Sequence, residues 1–197
     1  MGRKRSEPVR LTHIYTRAKD GGRTYLGDGS RVEKTDPRIA ALGAVEEVNA
    51  HLGVVLTGSV PDAVRETLAR LQNDLFDLGA DLAVPLDEGD DRLRIQSAQV
   101  EELERLCDRF NEDLQPLKSF VLPGGNERAA QLFLARAVCR RAERAVLAVP
   151  DTNPLAAIYL NRLSDLLFVL ARAANGGEEP LWKPGSYTSG DGDDPQA

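Results

Sequence analysis

Three arginines stand out as residues that could hold a charged substrate. At about 100° per residue, Arg136, Arg140 and Arg144 fall on one helix face, each roughly 40° from the last, with Glu143 beside Arg140. Most arginine stripes are solvated surface. Here Ala129, Phe133, Ala137 and Leu147 share the face, while Val138, Cys139, Ala142 and Val146 fill the other sides. A helix so apolar all round belongs in the middle of the fold. Guanidiniums on a central helix need anions. These are either structural carboxylates or a ligand phosphate, which arginine's planar fork suits. A second candidate is the stretch Ile14 to Thr24, which mixes glycines and threonines with Arg17, Lys19 and Arg23. It either cradles a polyphosphate through backbone N–H groups, hydroxyls and charge or forms a flexible surface arm. It lacks the spacing of a P-loop. Glu46 and Glu47, with Asn49 nearby, are adjacent on a helix and point in different directions, so they are no two-carboxylate catalytic pair. Asn161 and Asp165, four apart, share a face; a mid-bundle asparagine needs either a structural network or a ligand. His13 and His51 have no metal-like companions, so no metal held by protein side chains is expected. Cys107 and Cys139 fall inside helical patterns and read as reduced thiols near the core.

Helices must carry these residues. Asp36-Pro37 opens a helix from about Arg38 to Thr57, with Asp as N-cap and Pro at the first position. Val64, Leu68, Leu71, Leu75, Leu78 and Leu82 repeat at spacings of three and four in a helix over Asp62 to Ala83. Further helices span about Gln96 to Leu114, Glu127 to Val149 and Asn153 to Asn175, separated by the breakers Pro123-Gly124-Gly125 and Pro150. Five helices joined by mostly short loops predict an all-α, up-and-down bundle. Residues 1–13 read as a mobile arm, 14–183 as one helical domain with its loop at 14–36, and 184–197 as a flexible tail that Leu181, Trp182 and Tyr187 could partly anchor. Aromatics are only 5% of the chain and Ala, Leu and Val supply the apolar mass, which favours helices over sandwiches. A net charge of −6 argues against non-specific nucleic-acid binding. No apolar run approaches the roughly 18 residues of a membrane span. The basic start MGRKRSEPVR lacks the apolar core of a secretory signal, so a cytoplasmic protein is expected.

Four segments, IYTRAKDGGRTYLGDGSRVEKTDPRIAALGAVEEVNAHLG, FVLPGGNERAAQLFLARAVCRRAER, YLNRLSDLLFVLARAAN and LWKPG, resemble in this order the PduO-type ATP:cob(I)alamin adenosyltransferases, over about residues 14 to 185. The resemblance implies a five-helix homotrimer that binds Mg²⁺-ATP and a corrinoid, cob(II)alamin reduced to cob(I)alamin, where two subunits meet. It implies that Thr16, Arg17, Ala18 and Lys19 line the triphosphate, with Thr24, Tyr25 and Lys34 close by. Arg140, Arg141, Glu143, Arg144 and Asn161 would hold phosphates and nucleoside, and Arg136 would pair with Glu46 of the partner subunit. Phe120 would lie against the lower corrin face and displace the axial ligand; Phe120, Arg136 and Arg140 are the residues implied in catalysis. Cobalt(I) is itself the nucleophile, so the protein supplies proximity and a clamp for the leaving triphosphate. An electron-donating reductase and an adenosylcobalamin-dependent mutase are the implied partners. Lys19 stands where the family loop usually has glycine, Ala18 where it has a hydroxyl, and Glu46 where it has Asp. Those departures also motivate a second expectation, a non-catalytic cobalamin carrier of the same fold.

Overall fold

Local side chains start most of the helices. In the computed structural model, which describes residues 20–87 and 91–185, Asp36 accepts from the Arg38 N–H at 2.8 Å and Pro37 opens α1 (Pro37–Thr57). α2 (Asp62–Leu82) follows Pro61. Gln96 and Gln99 form a reciprocal capping box at α3 (Ser97–Asn111). Asn126 accepts from the Ala129 N–H at 3.0 Å at α4 (Glu127–Leu147). Asn153 accepts from the Leu155 N–H at 3.1 Å before Pro154 starts α5 (Pro154–Ala174). The expected arm at 1–13 and most of the tail from 184 onward lie outside the described residues.

The helices alternate in direction. Arg38 donates to the carbonyls of Leu82 (3.0 Å) and Pro150 (2.6 Å), so α1 begins where α2 and α4 end. At the opposite pole, the Asn175 side chain accepts from the Asn126 N–H at 3.0 Å, so α5 ends where α4 begins. α1 lies between α2 and α4, and α5 between α4 and α3, with α2 touching α5 across the middle. Val48, Leu52, Leu68, Leu78, Leu160 and Leu163 have no exposed surface and form the centre of the core. α1 and α5 are long and apolar enough to cross a membrane by length and composition, with hydropathy 1.4 each, which the sequence reading did not anticipate. Here both pack on their neighbours, and 50% of the α5 stretch is buried in the bundle.

Two other expectations are corrected. The segment 14–36, read as a loop, contains an antiparallel hairpin of β1 (Arg23–Tyr25) and β2 (Arg31–Glu33). Asp28 closes its turn by accepting from the Ser30 N–H at 2.8 Å. Gly27 donates to the Ala83 carbonyl at 2.8 Å, which hangs the hairpin on the end of α2; a Cβ there would meet the Val84 side chain at 2.8 Å. α4, read as central, leaves one flank outside the bundle, with Leu134 52% and Leu147 68% exposed. Its all-round apolarity is thus only partly used within one chain.

Candidate active site

α4 and α5 together build a charged groove. Arg136, Arg140, Glu143 and Arg144 come from α4; Asn161, Asp165 and Phe168 come from α5. The packing of α5 on α4 brings Asn161 to Glu143, with the amide donating to the Glu143 carboxylate at 3.0 Å. Arg162 donates to the Asn161 side-chain Oδ1 at 2.7 Å and to Glu104 at 2.8 Å, which fixes the amide's orientation. Arg144 turns back to the Arg140 carbonyl at 3.0 Å. Arg140 is exposed and enters none of the ion pairs among the described residues. Arg136 is half-buried with its guanidinium 5.2 Å from the centre of the Phe168 ring. Its Nε is buried without a hydrogen-bond partner. Burial first, and then the Arg140 charge, pull the Arg136 pKa down, while Asp165 pulls it up. A guanidinium nonetheless stays charged, so this corner is short of an anion.

Arg136 and Phe168 form the floor of a cleft of about 770 Å³ whose rim carries Lys118, Phe120 and Trp182. Phe120 is 77% exposed and its ring meets Trp182 edge-on, with centroids 5.9 Å apart. A large exposed aromatic at a cleft mouth is costly in water and suits a flat apolar ligand. Phe168 was not among the candidates drawn from sequence, although it stands seven residues after Asn161 on the helix face that Asp165 also shares. Trp182 reaches the cleft by a chain reversal that no local pattern encodes.

Other candidates are placed elsewhere. Arg141 turns to α1 and pairs with Glu47, on the opposite flank of α4 from Arg136. Glu46 lies in a separate groove of about 640 Å³ between α1 and α2, beside Asn49 and Phe76. It makes no contact with Arg136 of the same chain. Thr24 and Tyr25 lie on the hairpin and pair with Val32 and Arg31, and the Lys34 N–H donates to the Gly22 carbonyl at its open end, so these backbone bonds stay within the hairpin and away from the α4–α5 groove. Thr16, Arg17, Ala18 and Lys19 lie outside the described residues. Burial raises the Cys107 thiol to about 11 and raises Cys139 further, so neither is poised as a nucleophile. Among the described residues no cluster of His, Cys, Asp or Glu could hold a metal ion.

Comparison with known proteins identifies the family and the fold. Residues 14–174 match the cobalamin adenosyltransferase family. A corrinoid adenosyltransferase of Mycobacterium tuberculosis is 49% identical over 185 residues, covering 90% of this chain and 96% of that protein. A cobalamin adenosyltransferase of Cupriavidus metallidurans is 46% identical, covering 88% and 96%. Among solved structures, a phenylalanine-to-histidine variant of a PduO-type ATP:corrinoid adenosyltransferase from Lactobacillus reuteri, complexed with cobalamin and ATP, superposes with a TM-score of 0.82 at 33% identity, covering 87% of this chain and 97% of that one. By fold and site the molecule is a helical-bundle transferase. The chain belongs to the cobalamin adenosyltransferase family.

Proposed function

We propose that this protein transfers the 5′-deoxyadenosyl group of Mg²⁺-ATP to the cobalt of reduced cobalamin, giving adenosylcobalamin and triphosphate, at sites shared between subunits of a homotrimer. The observation that carries the reading is the buried, unpartnered Arg136 Nε beside the unpaired Arg140, under a cleft rimmed by Phe120. Such donors await anions that one chain does not supply. Arg140 and Arg144 take the phosphates, and Glu143 with Asn161 takes the nucleoside. The cobalt(I) electron pair becomes the new bond to C5′ while the C5′–O5′ bond breaks, and the triphosphate leaves with the electrons of that broken bond. The arginines stabilise the charge that gathers on the leaving oxygen. Phe120 covers the lower corrin face, excludes water and the axial donor, and so eases reduction of cobalt(II). Mg²⁺ enters with the ATP phosphates.

The test is an anaerobic assay with Mg²⁺-ATP and chemically reduced cobalamin, counting triphosphate against light-sensitive adenosylcobalamin. One triphosphate per product supports the enzyme. Tight corrinoid binding without product, in folded protein, would instead support a carrier. Phe120→Ala is expected to lower kcat by about 100-fold when cob(II)alamin and a reductant are supplied. It should lower it much less with pre-formed cob(I)alamin, and leave the KM for ATP unchanged; an equal loss with both corrinoids would refute the role given to the ring.

The trimer reading rests on complementary faces. Phe76 is 77% exposed at the α1–α2 groove that holds Glu46, and the outward flank of α4 offers Leu134 and Ala137 beside the arginines. Two different patches that fit each other close a ring when the rotation is one-third of a turn. Arg136 then meets Glu46 of the partner subunit, the hairpin residues Thr24, Tyr25 and Lys34 reach the neighbouring α4, and Thr16, Arg17, Ala18 and Lys19 are assigned to the triphosphate. Glu46→Arg should shift sedimentation from trimer towards monomer and reduce turnover, and Glu46→Arg with Arg136→Glu should recover part of the assembly. A trimer unaffected by Glu46→Arg would remove this pair from the interface. The domain 14–183 acts as one unit in the cytoplasm, receives its electron from a reductase and passes its product to an adenosylcobalamin-dependent mutase.

A further inference from the structure

Phe120 sits on a loop whose hold on the bundle comes largely from a later part of the chain. Residues 178–182 fold back along it as a short strap. Leu122 donates to the Pro180 carbonyl at 2.8 Å, Trp182 donates to the Phe120 carbonyl at 2.8 Å, and the Ser119 hydroxyl donates to the Trp182 carbonyl at 2.8 Å. Val121 and Leu181 form an antiparallel bridge between them. Exposed hydrogen bonds of this kind open easily in water, and the strap buries no apolar side chain in the core, with Leu181 and Trp182 both exposed. Every residue from Glu178 to Gly185 is exposed except Glu179. The Glu179 side chain is 4% exposed and pairs with Arg172, 7% exposed, in the last turn of α5. Arg172 also donates to the Gln115 carbonyl at 2.7 Å, at the other end of the Phe120 loop. One guanidinium therefore ties together α5, the loop and the strap. A buried ion pair contributes little net stability but penalises every arrangement that separates its charges. It suits a device that sets one geometry.

We propose that the Arg172–Glu179 pair is a positioning latch that holds the strap, and through it Phe120 and Trp182, over the cleft. The proposal rests on the functional reading above and adds two residues that touch neither substrate. Trp182 is the chain's sole tryptophan, so its fluorescence reports on the strap alone. In the full-length protein, Glu179→Gln keeps the side-chain shape and removes the charge; Glu179→Asp keeps the charge and shortens the reach. In Glu179→Gln, acrylamide quenching of Trp182 should rise towards that of an unfolded chain while helicity and ATP affinity stay at wild-type values. The fraction of four-coordinate cobalt(II), read by electron paramagnetic resonance with ATP bound, should fall. With cob(II)alamin and reductant, kcat should drop by about 10- to 100-fold at unchanged KM for ATP, and Glu179→Asp should fall between. A Trp182 that stays protected in Glu179→Gln overturns the latch. So does a joint loss of helicity, ATP affinity and turnover in both variants, which marks the pair as part of the fold. Should the wild type bind cob(II)alamin yet make no product, the catalytic reading fails, and the latch is then judged on quenching and corrinoid affinity.

Discussion

Arg140→Ala is expected to lower kcat/KM for adenosyl transfer by about 10²- to 10³-fold, the usual cost of deleting one fixed donor at a site of developing charge. The melting temperature should stay close to the wild type, because Arg140 is exposed and in no ion pair among the described residues. The two outcomes together make this the most informative single substitution. A structural arginine would move stability first. Arg140→Lys tests the fork: it keeps the charge but loses the paired N–H geometry, and should recover only part of the rate. Its neighbour provides the contrast, because Arg141 is engaged with Glu47 on α1. Arg141→Ala should therefore leave turnover within a few-fold of wild type. Equal losses at both positions would mean that the arginine face acts as a diffuse positive surface and not as a shaped clamp.

The second large effect is on stability. Asp81→Ala should cost about 3–5 kcal/mol, read as a lower urea midpoint at unchanged slope. The Asp81 side chain has no exposed surface and accepts from Arg94 at 2.8 Å, the Ile95 N–H at 2.8 Å and the Asn153 amide at 2.8 Å. Asn153 in turn caps α5, and Arg94 also donates to the carbonyls of Val84 and Pro85, both at 2.9 Å. Removing one carboxylate leaves a buried guanidinium, a backbone N–H and an amide short of an acceptor. A loss below 1 kcal/mol would mean that water enters and replaces it. This pole also matters for the site, since the hairpin hangs from Ala83, two residues beyond Asp81, and Arg38 ties the same turn to the α4–α5 connection. A variant loosened here should lose ATP affinity before it loses the Phe120 end of the cleft.

Much of this was legible in the amino-acid order because the forces that specify it are local. Asp36-Pro37, Asn126 and Asn153-Pro154 mark helix starts through bonds spanning two or three residues, and all three starts fall where the caps place them. The leucine repeat of α2 names its buried face, and the 3.6-residue period puts Arg136, Arg140 and Glu143 on one side of α4. What that face meets is a different question. Within α4, Arg140 and Arg141 are adjacent and chemically identical, yet one faces open solvent and the other pairs across to Glu47, 94 positions away. Asp81 read as one more charged residue near a helix end, and becomes a hub only because Ile95 and Asn153 return to it. Trp182 meets Phe120 after a reversal of more than 60 positions, held by a buried pair that no periodicity announces. Sequence by itself determined the five helices, most of their buried faces and the family, but neither the hairpin within 14–36 nor the open flank of α4. Tertiary structure alone decided which charges are paired, which stay unpaired among the described residues and what holds the aromatic rim. A side chain's partner depends on segments brought together by core packing, and a helix period carries no information about those.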